Sequence, residues 1–208
     1  MPLILSFKLA LFTLLGALFL ALPVVYWVHF SECKMVRWFS ALLNLPMILP
    51  PTVLGFYFLI LFNKDLLDLN FSFSGLVLAS IIINIPFMVG PIQNGLDALP
   101  KQFENTSFLL GKTKLTTFFK VLLPNVWGSI FTGAALTFAH TLGEFGVVFM
   151  IGGNLPGKTR LASLAIYNEV EAMNYAEANK YALILLVISI VVLLSIQFVK
   201  GKLSYAGA

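Results

Sequence analysis

Residues 181–199 read YALILLVISIVVLLSIQFV, a run without a charge, a proline or a glycine. A helix needs about 20 apolar residues to cross the hydrocarbon core of a bilayer, so this stretch predicts a membrane span. Working back along the chain, residues 126–151, 73–90, 39–62 and 9–28 are further apolar runs of comparable length. The composition agrees: 59% of the 208 residues are hydrophobic and 11% are charged, whereas a soluble domain carries about a quarter charged residues. A soluble fold built from this chain would lack the polar surface to stay in solution. The expected fold class is therefore an all-α membrane protein with about five transmembrane helices.

The first run follows a single Lys8 and exceeds the apolar region of about 7 to 15 residues found in a cleaved secretory signal; it reads as a retained anchor. Cys33, the sole cysteine, cannot form an intramolecular bridge. The net charge of +4 comes from Lys and Arg residues scattered between apolar runs, with no basic stripe for nucleic acid, so these cations read as topology signals. With the N-terminus outside, Lys34, Arg37, Lys101, Lys112, Lys114, Lys120, Lys200 and Lys202 face inward, against Lys8, Lys64, Lys158, Arg160 and Lys180 outside. That bias favours this orientation and makes the polar stretch 93–120 cytoplasmic.

The second run contains Pro46, Pro50 and Pro51, and the third contains Asn84 and Pro86. Proline removes a backbone donor, and a break is tolerated at membrane depth only where it faces protein or a watery path. The polar stretches 93–120 and 152–180 are the segments expected to meet partners.

Within the first of these, Leu99, Phe103, Leu109 and Leu110 interleave with polar residues, and the helical pattern stops at Gly111, suited to the left-handed position after a helix. A second short helix is expected over 114–122, ending at Pro124. Two amphipathic helices joined at a glycine would present an apolar face to a groove on a partner.

The spacing here resembles the permease subunits of bacterial ABC importers, whose cytoplasmic loop carries E-A-A, three residues, Gly, nine residues, then I-x-L-P. Gly111 is followed by nine residues and then by Val121, Leu122, Leu123 and Pro124. The E-A-A positions instead read Asn105, Thr106 and Ser107, with Glu104 one residue early as a stand-in for the acid. Residues 45–55, LPMILPPTVLG, are similar to the Pro-rich second span of molybdate permeases, as are 142–146, LGEFG, and 154–160, NLPGKTR. Sulfate permeases share something close to the L-G-E-F-G segment, so the N-x-P-G-x-T-R match tilts the resemblance toward molybdate.

The resemblance implies one transmembrane domain over 1–208 with a coupling loop at about 93–124, in the bacterial inner membrane. It implies a second copy of the chain in a symmetric homodimer, a cytoplasmic ABC ATPase dimer holding ATP and Mg, and an extracytoplasmic molybdate-binding protein. The permease itself would carry no catalytic residue, cofactor or metal. Alternatives are a sulfate or tungstate permease, or a secondary anion transporter or channel using Glu144 and His140 as a proton relay.

Glu144 lies inside the fourth run, where an ionised carboxylate costs roughly 2.5 to 3.5 kcal/mol on insertion scales. His140 is four positions earlier, the spacing of one helical face, and Gly143 and Gly146 flank the acid, permitting a bend or close packing. Two readings stand for Glu144: a gate-positioning group, or a glutamate that reaches the interface or is capped by a neighbouring chain. His140 is read as a packing histidine or a ligand. Thr132, Thr137 and Thr141 are candidate donors to an anion. Lys158 and Arg160 are read either as a receptor contact or anion funnel, or as a solvated loop balanced by Glu169 and Glu171.

Residues 152–159, GGNLPGKT, satisfy the phosphate-loop pattern G-x-x-x-x-G-K-[ST] after the strand-like 147–151. That pattern works between a strand and a helix, with an Asp elsewhere on magnesium. Here the apolar run before it belongs to a membrane span, and Asp65, Asp68 and Asp97 end no strand-length apolar run. Nucleotide binding by this chain is not expected.

Overall fold

The computed structural model of the chain describes residues 1–31, 34–63 and 68–206. Cys33, Lys64 and Asp65 lie outside the described residues, and only the backbone is described for Lys34, Arg37, Lys200 and Lys202.

Three of the five apolar runs form single helices long and apolar enough to cross a membrane: α1 (Pro2–Phe30), α5 (Phe73–Ala98) and α12 (Tyr175–Ala206). In α1 the buried positions Ser6, Ala10, Thr13, Ala17 and Ala21 recur every three or four residues. Such small residues on one face let helix backbones approach closely in lipid. That face meets α5, whose N-terminus is capped where Ser72 Oγ accepts from the Gly75 N–H at 3.0 Å. α5 continues through Pro91 to Ala98, past the expected end near residue 90. Ile92 and Leu96 are buried on its continuing face, so packing overrides the local proline signal.

The second apolar run is broken into α2 (Lys34–Leu43), α3 (Leu45–Ile48) and α4 (Pro51–Leu61). Leu49 and Pro50 are extended, with ψ of 140° and 133°, between the last two. The fourth run is likewise divided, into α9 (Trp127–Gly143) and α10 (Gly146–Gly152).

The polar stretch between α5 and α9 folds into α6 (Gln102–Leu109), α7 (Lys114–Thr117), a π-helical turn at Phe118–Leu122 and α8 (Leu123–Asn125). The segment Lys114–Asn125 meets α9 at 76°. After α10, a short loop leads to α11 (Ala162–Glu171) and then α12.

Helices α1, α5 and α9 pack mutually. Around them are two apolar cores. Leu9, Leu76, Ile83, Val147, Ile151 and Leu164 join α1 and α5 to α10 and α11 at one end. Ala21, Val25, Met88, Ile92, Phe118 and Leu122 join α1 and α5 to the π-helical turn at the other. The loop between α5 and α9 is thus built into the bundle rather than hung from it.

Candidate functional site

The division of the fourth run sets the geometry of the first site. α9 ends at Gly143, and Glu144 follows with φ −68° and ψ 133°, an extended conformation. The chain re-forms a helix at Gly146, so α10 turns back against α4. Two glycines make that contact possible. A Cβ on Gly55 would lie 2.8 Å from Met150 Cβ, and one on Gly146 would lie 2.8 Å from Pro51 Cβ. Gly143, by contrast, has open space around it and serves as the end of α9.

The prolines of the second run and the break at Glu144 enclose a cavity of about 530 Å³ lined by Pro46, Pro51, Thr52, His140, Glu144 and Val147, among others. Glu144 is 6% exposed, and its Oε2 is buried without a hydrogen-bond partner among the described residues. Its backbone carbonyl accepts from Ser163 Oγ of α11 at 2.7 Å. The backbone at Glu144 is thus fixed by α11, while Oε2 faces a chamber with room for water.

His140 and Glu144 do not share a helical face, because α9 stops between them and the 3.6-residue period no longer applies. The His140 ring stacks on Phe87, with centroids 4.1 Å apart. Its Nδ1 lies 3.1 Å from Asn84 Oδ1, while Asn84 Nδ2 donates to the Ser80 carbonyl at 2.8 Å. Asn84 is fully buried and is the polar residue of α5 that sequence reasoning placed in a span without assigning a partner.

The candidate anion donors on α9 are turned inward. Thr132 and Thr141 donate to the carbonyls of Gly128 and Thr137, each at 2.8 Å. Thr137 Oγ1 is buried without a partner among the described residues.

The loop after α10 is closed on itself. Thr159 is fully buried; its hydroxyl donates to the Gly152 carbonyl at 2.5 Å and accepts from the Leu155 N–H at 2.9 Å. Gly153 and Gly157 take left-handed φ of 63° and 76°. The segment before it, expected to be strand-like, is helical (α10). The threonine of the phosphate-loop pattern is therefore consumed in loop closure, and the strand that such a cradle requires is replaced by a helix.

Arg160 Nε donates to Asn154 Oδ1 at 3.1 Å. With the Asn168 amide turned to satisfy both its ends, its oxygen also accepts from Arg160 Nε and Nη2, each at 3.2 Å. Lys158 is exposed. Glu169 and Glu171 do not balance these cations: Asn174 Nδ2 donates to Glu169 at 2.8 Å, and the Tyr167 hydroxyl donates to Glu171 at 2.5 Å.

At the opposite end, Gly111 has φ of 71° and ends the α6 segment as its sequence predicts. The second helical segment runs Lys114–Asn125 and so ends at Pro124 to within one residue, before the bend into α9. The Leu123 N–H reaches back to the Phe118 carbonyl, and this wider π turn accommodates a proline that has no donor of its own. Winding continues through Asn125.

Ser107 is buried, and its hydroxyl lies 2.8 Å from Thr117 Oγ1, joining α6 to α7. Asn105 and Thr106 are exposed. Glu104 turns toward the bundle, its Oε2 3.4 Å from His29 Nε2 at the end of α1. Apolar side chains are exposed alongside these polar ones: Leu109 is 87% and Leu110 71% exposed, with Leu115 and Phe119 also exposed. A groove of about 450 Å³ is lined by Phe103, Thr106, Leu110, Lys112 and Val121, among others. Leu123 is buried and Pro124 exposed.

The family of binding-protein-dependent transport system inner membrane components matches residues 34–204. The molybdenum transport system permease protein ModB of Azotobacter vinelandii is 39% identical over 186 residues, covering 84% of this chain and 82% of that protein. The sulfate transport system permease protein CysT of Salmonella typhimurium is 33% identical over 174 residues, covering 78% of this chain but 62% of that protein. The chain thus spans most of the molybdenum relative and less than two thirds of the sulfate one. Among solved structures, the crystal structure of an amino acid ABC transporter with histidines superposes with a TM-score of 0.57 at 17% identity, covering 90% of this chain and 91% of that one. That likeness concerns the fold.

Proposed function

Because this chain belongs to the family of binding-protein-dependent transport system inner membrane components, we propose that it is the permease subunit of an ATP-driven molybdate importer. The observation that carries the substrate is the 39% identity to a molybdenum permease over 82% of that protein's length. Sulfate and tungstate are the competing oxyanions.

In this reading an extracytoplasmic binding protein delivers the oxyanion to a symmetric pair of these chains in the bacterial inner membrane, each with its N-terminus outside. Binding of ATP with Mg to a partner ATPase dimer on the cytoplasmic side moves the segment 93–124. The exposed Leu109, Leu110, Leu115 and Phe119 support a docking face there. The Ser107–Thr117 contact and buried Phe118 support transmission, since they tie that face to α1 and α5. Asn105 and Thr106 sit on the exposed side of α6, where they can meet the ATPase, whereas Glu104 acts through His29.

At the outer end, Lys158 meets the receptor while Arg160 keeps the loop in shape. Glu144 positions a gate: its unsatisfied carboxylate and the chain break beside it support an arrangement that a second conformation relieves. His140 is a packing residue paired with Asn84. A free charge near the path would repel the oxyanion, and selectivity accordingly rests with the binding protein.

The test is uptake into proteoliposomes containing this chain, its ATPase and its binding protein. ATP-dependent molybdate uptake that resists excess sulfate is expected. Uptake persisting without the ATPase would make the chain a secondary transporter, and sulfate competing on equal terms would reassign the substrate. In the same vesicles, Leu109→Asp should abolish uptake while leaving the chain's melting temperature unchanged, as the site is exposed; retained uptake would remove the docking face from α6.

A further inference from the structure

Lys8 occupies an unusual place on α1. Ile4, Leu11, Phe12, Leu15 and Phe19 are exposed apolar residues at helical spacing around it, and together they form an open apolar strip on α1. Its ammonium lies over the Phe73 ring, 5.2 Å from the centroid, which directs the side chain toward the start of α5. Arg160 reaches the same corner from the loop after α10. The two cations, with Pro2, Ile4, Leu5 and Pro156, line a cavity of about 480 Å³.

Among the described residues, neither cation has a carboxylate partner. The ion pairs among the described residues are His29 with Glu104 and Lys180 with Glu177. The acids of α11 are engaged by Asn174 and Tyr167. The corner is also a fixed frame rather than a loose surface. Ser6 Oγ accepts from the Ala162 N–H at 2.8 Å, joining α1 to α11, and Arg160 is held by Asn154.

Cations near the end of a membrane helix reach for the headgroup level, and there the available anions are lipid phosphates. We propose that this corner binds the phosphate of an anionic phospholipid between Lys8 and Arg160, with an acyl chain lying along Ile4, Leu11 and Leu15. A free oxyanion offers the same charge, but it would leave the apolar wall beside the cations exposed to water. A lipid covers both. The site is independent of which solute the chain transports.

Purified full-length chain in neutral detergent, mixed with equal amounts of phosphatidylglycerol and phosphatidylcholine, tests this by native mass spectrometry of retained lipid. Phosphatidylglycerol should be retained in preference. Each cation near the surface contributes about 1 kcal/mol to anionic lipid binding, so Lys8→Gln and Arg160→Gln should each weaken the preference about fivefold. If Arg160→Gln fails to fold, Lys8→Gln, at an exposed position, decides alone. Equal retention of the two lipids, or a preference untouched by Lys8→Gln, overturns the proposal. Displacement of the lipid by millimolar inorganic phosphate or molybdate also overturns it, making the corner a free-anion site.

Discussion

Helix α12 and the α9–α10 segment begin as the same kind of sequence, an apolar run long enough to span a membrane, and end as opposites. Only 6% of the apolar window of α12 is buried within the chain, against 56% for α5, and no residue interrupts it from 181 to 199. The α9–α10 segment contains two glycines around an acid and folds as two helices with an extended residue between them. In lipid, a helix satisfies its own backbone and needs no neighbour. A run that must meet other protein segments carries the polar atoms and small residues that those meetings require. The difference lies in the few residues that are not apolar.

The largest effect should come from filling the contact that folds α10 onto α4. Gly146→Leu places bulk where a Cβ would already lie 2.8 Å from Pro51 Cβ, and overpacking of this kind costs about 1 to 3 kcal/mol. A lowered melting temperature and lost uptake are expected. An unchanged melting temperature would mean that α4 yields, and that α10 is no more constrained than α12. Next comes Glu144→Gln, which keeps shape and removes charge. ATP-dependent uptake should fall sharply while ATP hydrolysis by the partner continues; unchanged uptake would remove Glu144 from the gate.

The sequence revealed the spans because length and apolarity are local properties. Gly111 was legible for the same reason: a helix that must turn left-handed at its end needs a glycine there, whatever surrounds it. The pairing of His140 with Glu144 expected from their spacing does not form, since it assumed one continuous helix. α9 ends at Gly143, and α10 lies against α4 where Gly55 faces Met150 and Gly146 faces Pro51, contacts between residues far apart in the sequence. The partner that His140 does find, Asn84, lies 56 positions away. A period indicates which residues share a face, not which helix that face will meet. Pro124 was legible as the end of its segment to within one residue, whereas the π turn over Phe118–Leu122 just before it had no signature in the spacing.

A smaller effect tests the loop that follows α10. Thr159→Val is nearly isosteric and strips the hydroxyl that joins the Gly152 carbonyl to the Leu155 N–H. A hydrogen bond contributes about 0.5 to 1.5 kcal/mol net, below the overpacking cost, so the melting temperature should fall by less than in Gly146→Leu. Chemical denaturation would measure it. Stability equal to the wild type would mean that water replaces the hydroxyl and that the loop is not closed by Thr159.

The smallest effect belongs to α12. Leu193 is 57% exposed within the chain, and a leucine exposed to a bilayer meets acyl chains as apolar as itself. Leu193→Ala exchanges one apolar contact for another without a buried cavity, so its stability should remain within about 0.5 kcal/mol of the wild type, as for substitutions away from packed sites. The same truncation in a packed interior costs about 2 to 5 kcal/mol. A loss of that size at Leu193, measured on the isolated chain in detergent, would mean that α12 packs against protein and not lipid. A loss seen only in the assembled complex would identify its outer face as a subunit contact, and the contrast with α9–α10 would then be one of partner rather than of solvent.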